Sequence, residues 1–326
     1  MPWRTLLTFI LGFSLLCGLI ILSLSMGSAP IDWRAIWDNQ LTPEEQQIIM
    51  ELRLPRAILA ILVGASLASS GFVLQGLLRN PLVDSYLIGL SAGGSLGAAI
   101  ALLFHWNWQL GPFHSTPLAA FGGALLSVSL VYALASRRGR LSPERFLLAG
   151  IAVSAFLSAL LSLLLVLNGR DAQAVIFWVM GSLAGRGWAE VQLIWPYLAI
   201  AFAFMLWHVQ ALNAFKLGEE GAAHLGIAVP RVHRLLIFAT SLATAACVSV
   251  SGVIGFVGLM IPHLCRLLLG AGRAQNILPL SMIFGAVILL GADTMARTWL
   301  APQELPVGIL TALLGVPCFL FFLRKS

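Results

Sequence analysis

The chain has 326 residues, of which 59% are hydrophobic and only 10% are charged, and its mean hydropathy is +0.94. A soluble domain carries about 25% charged residues, and a globule of this size cannot remove so much apolar surface from water. The composition therefore excludes a soluble enzyme, a disordered protein and a nucleic-acid-binding protein. At roughly 20 residues per membrane helix and about 10 per connection, residues 1–326 accommodate about ten crossings in a single transmembrane domain.

Ten apolar segments follow one another along the chain and predict an all-α polytopic membrane protein. They cover residues 5–28, 56–78, 85–104, 117–136, 145–167, 191–209, 234–251, 255–270, 276–296 and 306–323. We expect the first to be a retained helix, because no A-x-A site follows it and Leu16 before Cys17 is too large for lipoprotein cleavage. The eighth is short and glycine-rich, which is typical of a broken or tilted helix.

The segment 172–184 is apolar but too short to cross a bilayer. Trp178 and Trp188 suit the headgroup level, so we expect an interfacial or a re-entrant helix here.

Basic residues predict the orientation, because cytoplasmic loops are enriched in Lys and Arg. With a cytoplasmic N-terminus, 13 of the 19 Lys and Arg residues fall inside and both termini are cytoplasmic. The remaining basic residues fall outside, namely Arg34, Arg53, Arg56, Arg170, Arg186 and Arg297. The net charge of +6 is thus explained by membrane topology without a nucleic acid partner.

Two stretches of the sequence share a short pattern that suggests a weak internal repeat. Ser70-Gly71 is followed ten residues after the glycine by Pro81, and Ser251-Gly252 is followed by Pro262 at the same distance. An inverted repeat, common in transporters, and a coincidence of composition both account for this spacing.

Familiar catalytic and metal motifs do not occur in the sequence. It contains neither G-x-x-x-x-G-K-[ST] nor H-E-x-x-H, and its four cysteines form no C-x-x-C pair. We therefore expect no catalytic residue, cofactor or metal in this chain. Four glycines in apolar segments are read as helix-packing positions, namely Gly94, Gly97, Gly122 and Gly123.

Several stretches carry unusual polar or helix-breaking residues. Arg53-Leu-Pro-Arg56 precedes a span rich in Gly, Ala and Ser that ends with Gln75 and Asn80-Pro81, where we expect the helix to stop. The loop 212–226 is the most polar cytoplasmic stretch, and we expect its central residues to form a short helix ending at Gly226. A docking surface and a plain solvated loop both account for its charge.

Two later stretches complete this set. GFVGLMIPHLCR ends with Arg266, and we expect its helix to kink or begin anew at Pro262, which lacks a backbone donor. In GADTMAR, Asp293 is the one acid clearly within a span. It is either a functional acid or, as we favour, the partner of Arg297 four residues on.

In order along the chain, these stretches resemble the permease family of ATP-binding-cassette (ABC) importers for iron-siderophores, haem and vitamin B12. The resemblance rests on RLPR, Q-x-x-x-x-N-P-L, LN-x-x-x-LGEE, GF-x-GL-x-x-PH-x-x-R and ELP-x-G-x-x-TA, with ERFLLAG and FWVMGSLAG between them. It covers residues from about 50 to 322. The resemblance implies ten spans, a homodimer with one central path in the bacterial inner membrane, two ATPase subunits that hold ATP and Mg²⁺, and a substrate-binding protein.

The resemblance also implies roles for individual residues. An ATPase-coupling helix would comprise Glu219, Glu220, Ala222, Ala223, His224, Leu225 and Gly226. The cytoplasmic gate would comprise Asn80, Leu82 and Val83, with Leu141, Ser142 and Pro143 in a second loop. Arg56 and Arg297 would meet acidic residues on the binding protein. The chain departs from the family at Val83-Asp84-Ser85, where a proline usually follows the acid.

Three function classes are compared on these residues. The main hypothesis is a passive, ATP-gated channel subunit for a bulky metal chelate, because the span interiors carry almost no charge. An ion-coupled secondary transporter is the alternative, but it needs several buried acids or a broken-helix ion site. An intramembrane enzyme would need a catalytic pair inside the bilayer, which the sequence does not display.

Overall fold

The computed structural model describes residues 2–27, 41–110, 113–137, 140–169, 172–270 and 272–323. Within these ranges the chain is predominantly helical, with two antiparallel pairs of two-residue strands in loops. The strands are β1 (Gln109–Leu110), β2 (Phe113–His114), β3 (Ser136–Arg137) and β4 (Arg140–Leu141).

The helices in the first half of the chain are α1 (Pro2–Ser25), α2 (Pro43–Gln47), α3 (Leu54–Leu77), α4 (Leu90–Leu103), α5 (Ser115–Ala135) and α6 (Pro143–Leu167). Those in the second half are α7 (Ala172–Val179), α8 (Trp188–Trp207), α9 (Val209–Phe215), α10 (Gly218–His224), α11 (Val229–Ser251), α12 (Val257–Leu269), α13 (Ala274–Thr298) and α14 (Val307–Leu323). A π-helical turn, Ile48–Arg53, joins α2 to α3.

The ten predicted segments all form helices. Among the described residues, seven helices are long and apolar enough to cross a membrane, and α4, α12 and α14 are shorter apolar helices. Their exposed apolar side chains face outward, as expected where lipid replaces water. The prediction of an all-α polytopic membrane protein is confirmed.

Helix α3 lies at the centre of the chain and packs against α11, α12 and α13. Its small residues permit backbone contact: a Cβ at Gly64 would lie 2.3 Å from the carbonyl oxygen of Gly285, and one at Gly71 would lie 2.0 Å from that of Gly258. The predicted role of the small-sided segment in close helix packing is confirmed.

The second small-residue contact joins α4 to α5. A Cβ at Gly97 would lie 2.2 Å from the Ala119 carbonyl oxygen, and one at Gly123 would lie 2.3 Å from that of Gly93. A Cβ at Gly94 would meet Val248 at 2.7 Å, whereas Gly122 has no neighbour within 4 Å. The packing interpretation therefore holds for three of the four glycines and is wrong for Gly122.

The break in the eighth apolar segment occurs earlier than predicted. Helix α11 ends at Ser251, and α12 begins at Val257, so Pro262 lies inside α12. Gly252 has φ +68°, and a Cβ there would lie 2.1 Å from the Trp178 carbonyl oxygen. The glycine, not the proline, therefore ends the helix.

The possible internal repeat is not matched in the backbone. Gly71, the counterpart of Gly252 in that spacing, lies inside α3 and does not end a helix.

The segment 172–184 contains only the eight-residue helix α7, and the chain after it packs against the break between α11 and α12. The Ser182 amide donates to the Ser251 carbonyl at 2.8 Å, and the Gly308 amide donates to the Gly181 carbonyl at 3.1 Å. Non-helical backbone at membrane depth must be bonded inside the protein. These bonds favour the re-entrant alternative over the interfacial one.

The contact of Gly64 with Gly285 generates a stability prediction. Gly64→Ala forces α3 away from α13, and overpacking of this kind costs about 1–3 kcal/mol, so the thermal midpoint of the detergent-purified protein falls. Gly122→Ala is the matched control, because it places the same methyl group on a helix in open space. Equal midpoints for the two variants would contradict the close approach.

Candidate functional site

Four arginines meet in a cavity of about 370 Å³ at the predicted outer end of the chain. They are four of the six that the charge bias places outside, namely Arg53, Arg56, Arg186 and Arg297. The other two fall outside the described residues. The shared location of these four supports the assignment of this end to one side of the membrane.

Arg56, in the first turn of α3, is 9% exposed and is paired within the chain. Its Nε donates to Asp293 Oδ2 at 2.9 Å, and its Nη2 donates to Asp293 Oδ1 at 3.0 Å. Its Nη1 donates to Glu304 Oε2 at 2.9 Å. The two-point geometry with Asp293 is the strong arrangement for an arginine and a carboxylate. It ties α3 to α13 and to the loop before α14.

The predicted pairing of Asp293 with Arg297 is wrong. Arg297 is 7% exposed and directs Nη2 to the carbonyl oxygen and the hydroxyl of Ser23. Arg53 Nη1 donates to the carbonyl oxygens of Leu24 at 2.6 Å and Ser25 at 2.9 Å. The last carbonyls of a helix have no partner within it and form the negative end of its dipole. Arg53 and Arg297 therefore cap α1, and Asp293 is left to Arg56.

The two arginines assigned to docking are thus engaged inside the chain. The Arg56 and Arg297 side chains are buried, whereas the Glu304 side chain is 38% exposed. Glu304 is the part of this cluster that is accessible from solvent, and the sequence indicated it only through the ELP motif.

The predicted gate turn, residues 80–84 and called the gate turn below, follows the end of α3. The side chain of Asn80 accepts a hydrogen bond from the Leu82 amide at 2.9 Å, which closes the turn as predicted for Asn80-Pro81. The Leu82 side chain is 46% exposed, whereas Val83 is buried. Asp84 caps the short 3₁₀ helix Ser85–Ile88 and accepts from the Ser85 amide at 2.6 Å, so a defined turn forms without the family's proline.

The second predicted gate loop starts helix α6. Ser142 is the N-cap and accepts from the Arg145 amide at 3.5 Å, and Pro143 occupies the first helical turn. Leu141 is buried and lines a cavity of about 300 Å³ together with Glu219 and Glu220. The structure therefore brings this loop next to the predicted coupling helix.

The predicted coupling helix is present as α10, with Leu225 as its C-cap and Gly226 at φ +81° beyond it. Ala222 is fully buried and anchors the helix on the protein, while Glu220, Ala223, His224 and Leu225 are exposed. The helix thus presents a mixed acidic and apolar surface at the predicted cytoplasmic end.

An ion pair connects α10 to the gate turn. Glu219 Oε1 lies 3.8 Å from Nη2 of Arg79, the residue directly before Asn80. Both side chains are substantially exposed, so the pair contributes at most about 1 kcal/mol to stability. Its significance is positional, because it places the first predicted gate segment beside α10.

Helix α2, at the predicted outer end, was not predicted from the sequence. Thr42 caps it and accepts from the Glu45 amide at 3.3 Å, while the Glu45 carboxylate accepts from the Thr42 amide at 2.9 Å. The T-x-x-E spacing of a capping box was the available signal.

Within the described ranges, His, Cys, Asp and Glu side chains form no group of three suited to a metal ion.

Comparison with known proteins matches residues 15–325 to the FecCD transport family. The chain is 42% identical over 283 residues to the cobalamin import system permease protein BtuC of Halobacterium salinarum, covering 86% of this chain and 75% of that protein. It is 38% identical over 324 residues to the Fe(3+)-citrate import system permease protein YfmE of Bacillus subtilis, covering 98% and 96%. A solved structure described as a metal-chelate type ABC transporter in an inward-facing conformation superimposes with a TM-score of 0.88 at 32% identity, covering 100% of both chains.

The fold and the arrangement of its ends are those of a multi-pass transport permease. The chain belongs to the FecCD transport family, and it is the transmembrane permease subunit of an ATP-binding-cassette importer.

The buried pair at the outer end generates a second prediction. Asp293→Asn leaves the buried Arg56 with one carboxylate partner, and breaking such a pair costs about 3–5 kcal/mol, so the thermal midpoint falls strongly. Glu190→Gln is the control, because it removes an acid from a single 3.6 Å pair with Arg186 at the same end. An Asp293→Asn midpoint no lower than that of the control would contradict the structural role of the pair.

Proposed function

We propose that this permease forms a homodimeric path across the bacterial inner membrane for a metal chelate delivered by a substrate-binding protein. The names of its relatives support a cargo of this class, since they include permeases for cobalamin, ferric citrate and hemin. The chain itself holds no cofactor in this proposal, and ATP and Mg²⁺ are bound by two partner ATPase subunits. The buried, almost uncharged helices suit a conduit that passes a bulky chelate without holding it.

The observation that carries the proposal is the position of α10. It is exposed outside the spans, anchored by the buried Ala222 and paired with Arg79 beside the gate turn. An ATPase subunit that binds the acidic and apolar face of α10, from Glu219 to Gly226, therefore acts on the gate residues Asn80, Leu82 and Val83. The second gate loop, 141–143, lies against the same helix.

Docking of the binding protein at Arg56 and Arg297 requires these side chains to give up hydrogen bonds that they make within the chain. Asp293 is only 1% exposed, whereas Glu304 meets the solvent. An acidic side chain of the binding protein would therefore displace Glu304 from Arg56 and leave the pair with Asp293 intact. Arg297 already caps α1, and its Nε is buried without a hydrogen-bond partner among the described residues, so docking at Arg297 would require this side chain to leave Ser23.

The structure weakens the ion-coupled alternative. Asp293, the acid on which that alternative depends, is neutralised by Arg56 at two points and is not open to a coupling ion. The broken helix between α11 and α12 is bonded to the protein, since the Ile254 amide donates to the Tyr86 hydroxyl at 3.1 Å.

Charge reversal on α10 tests the coupling proposal. Glu219→Arg with Glu220→Arg reverses the charge of the proposed docking face, and like charges opposed across an interface cost several kcal/mol. We expect retention of the ATPase subunit on the affinity-purified permease to fall at least about tenfold, and ATP-driven uptake in vesicles to fall with it.

Glu44→Arg is the control, because it reverses an exposed acid on α2 at the opposite end of the molecule. Undiminished ATPase retention and uptake in the double variant would overturn the assignment of α10 as the coupling helix.

A further inference from the structure

A single buried side chain joins three segments at the inner end of the permease. Gln75 lies in the last turn of α3 and is 3% exposed. Its Nε2 donates to the Gly258 carbonyl at 3.1 Å and to the Val83 carbonyl at 3.3 Å, and its Oε1 accepts from Arg266 Nη2. The amide therefore uses both donors and its acceptor to connect α3, the gate turn and both ends of α12.

Pro262 explains why α12 offers a carbonyl to this amide. A helical residue donates its amide to the carbonyl four residues earlier, and proline has no amide hydrogen. Pro262 therefore leaves the carbonyl of Gly258 without its helical donor. Gln75 supplies the missing donor from the neighbouring helix. This is possible because α3 and α12 are in backbone contact where Gly71 faces Gly258.

The same residue fixes the gate turn. The Val83 carbonyl accepts from Nε2 of the Gln75 side chain, and the Asn80 amide donates to the backbone carbonyl of Gln75 at 3.2 Å. Both ends of the turn are thus attached to one residue. An unpaired carbonyl buried among apolar helices is costly, so the turn keeps this position while the Gln75 amide is available.

We propose that Gln75, oriented by Arg266, is a positioning residue that fixes the gate turn to α12, so that the two move together when the gate opens. This inference rests on the proposed function, because it takes residues 80–84 as part of the cytoplasmic gate. It adds a residue of α3 and a residue of α12 to the gate machinery.

The test measures exposure of the gate turn with a thiol probe, which requires no knowledge of the cargo. Val83→Cys, at the gate residue that is buried in the resting turn, is introduced into a permease in which the accessible Cys17 and Cys318 are replaced by Ala, while the buried Cys247 and Cys265 stay. The complete transporter, with its ATPase and binding protein, is placed in lipid nanodiscs. Its labelling by a charged maleimide is timed with and without ATP and Mg²⁺.

Two variants of Gln75 separate positioning from packing. Gln75→Met removes every side-chain hydrogen bond of Gln75 at similar volume and keeps the backbone bond to Asn80. Gln75→Glu keeps an acceptor for Arg266 but has no amide hydrogen for the Val83 carbonyl. We expect both to raise the labelling rate without ATP at least about fivefold, the order expected for one lost buried hydrogen bond.

Gln275→Met is the matched control. It removes a hydrogen bond of 2.9 Å from Asn213 to Gln275 at the same end of the molecule, away from the gate turn. We expect it to lower the thermal midpoint while leaving the labelling rate within about twofold, because a loss of helix packing alone does not free the turn.

Four results would overturn the proposal. Parent-like labelling in Gln75→Met, or recovery of slow labelling in Gln75→Glu, would show that the amide does not hold the turn. A labelling rate in Gln275→Met as high as in the Gln75 variants would show that they act by a general loss of helix packing and not by release of the gate turn. Labelling of the parent that does not respond to ATP would instead overturn the gate assignment itself, and the positioning role with it.

Discussion

Charged side chains and free backbone carbonyls inside a bilayer need partners within the protein, and this requirement links distant segments of the permease. Arg56 meets Asp293 across α3 and α13, and Arg53 and Arg297 cap the end of α1. At the other end, Gln75 meets a carbonyl left free by a proline. Each contact joins segments far apart in the chain, so the few polar residues decide how the apolar helices are assembled.

The same requirement gives the middle of the protein and its two ends different roles. Between the two ends, small residues bring α3 into backbone contact with α12 and α13, and the interior offers almost no charge to a cargo or an ion. Among the described residues, the charged side chains that remain accessible lie at the ends, where Glu304 is exposed on one side and the acidic α10 on the other. This distribution suits a subunit that receives both its cargo and its energy from partners.

Hydropathy and local signals predicted much of the fold. The ten apolar segments, the turn at Asn80-Pro81 and the short helix before Gly226 depend on residues close together in sequence. The failures are contacts between distant residues. Asp293 pairs with Arg56, 237 positions away, and not with Arg297 four positions away. The break before α12 is set by Gly252 against α7, which no local property of Pro262 reveals.

The central claim, that this chain is a passive path driven by ATP hydrolysis on partner subunits, is tested most directly by uptake into proteoliposomes. Vesicles would hold the permease, its ATPase and its binding protein, with ferric citrate, hemin and cyanocobalamin as labelled probes. The account predicts uptake of at least one probe that requires ATP and persists when proton and sodium gradients are collapsed. Uptake driven by an ion gradient in vesicles that hold the permease alone, without ATP, would contradict it.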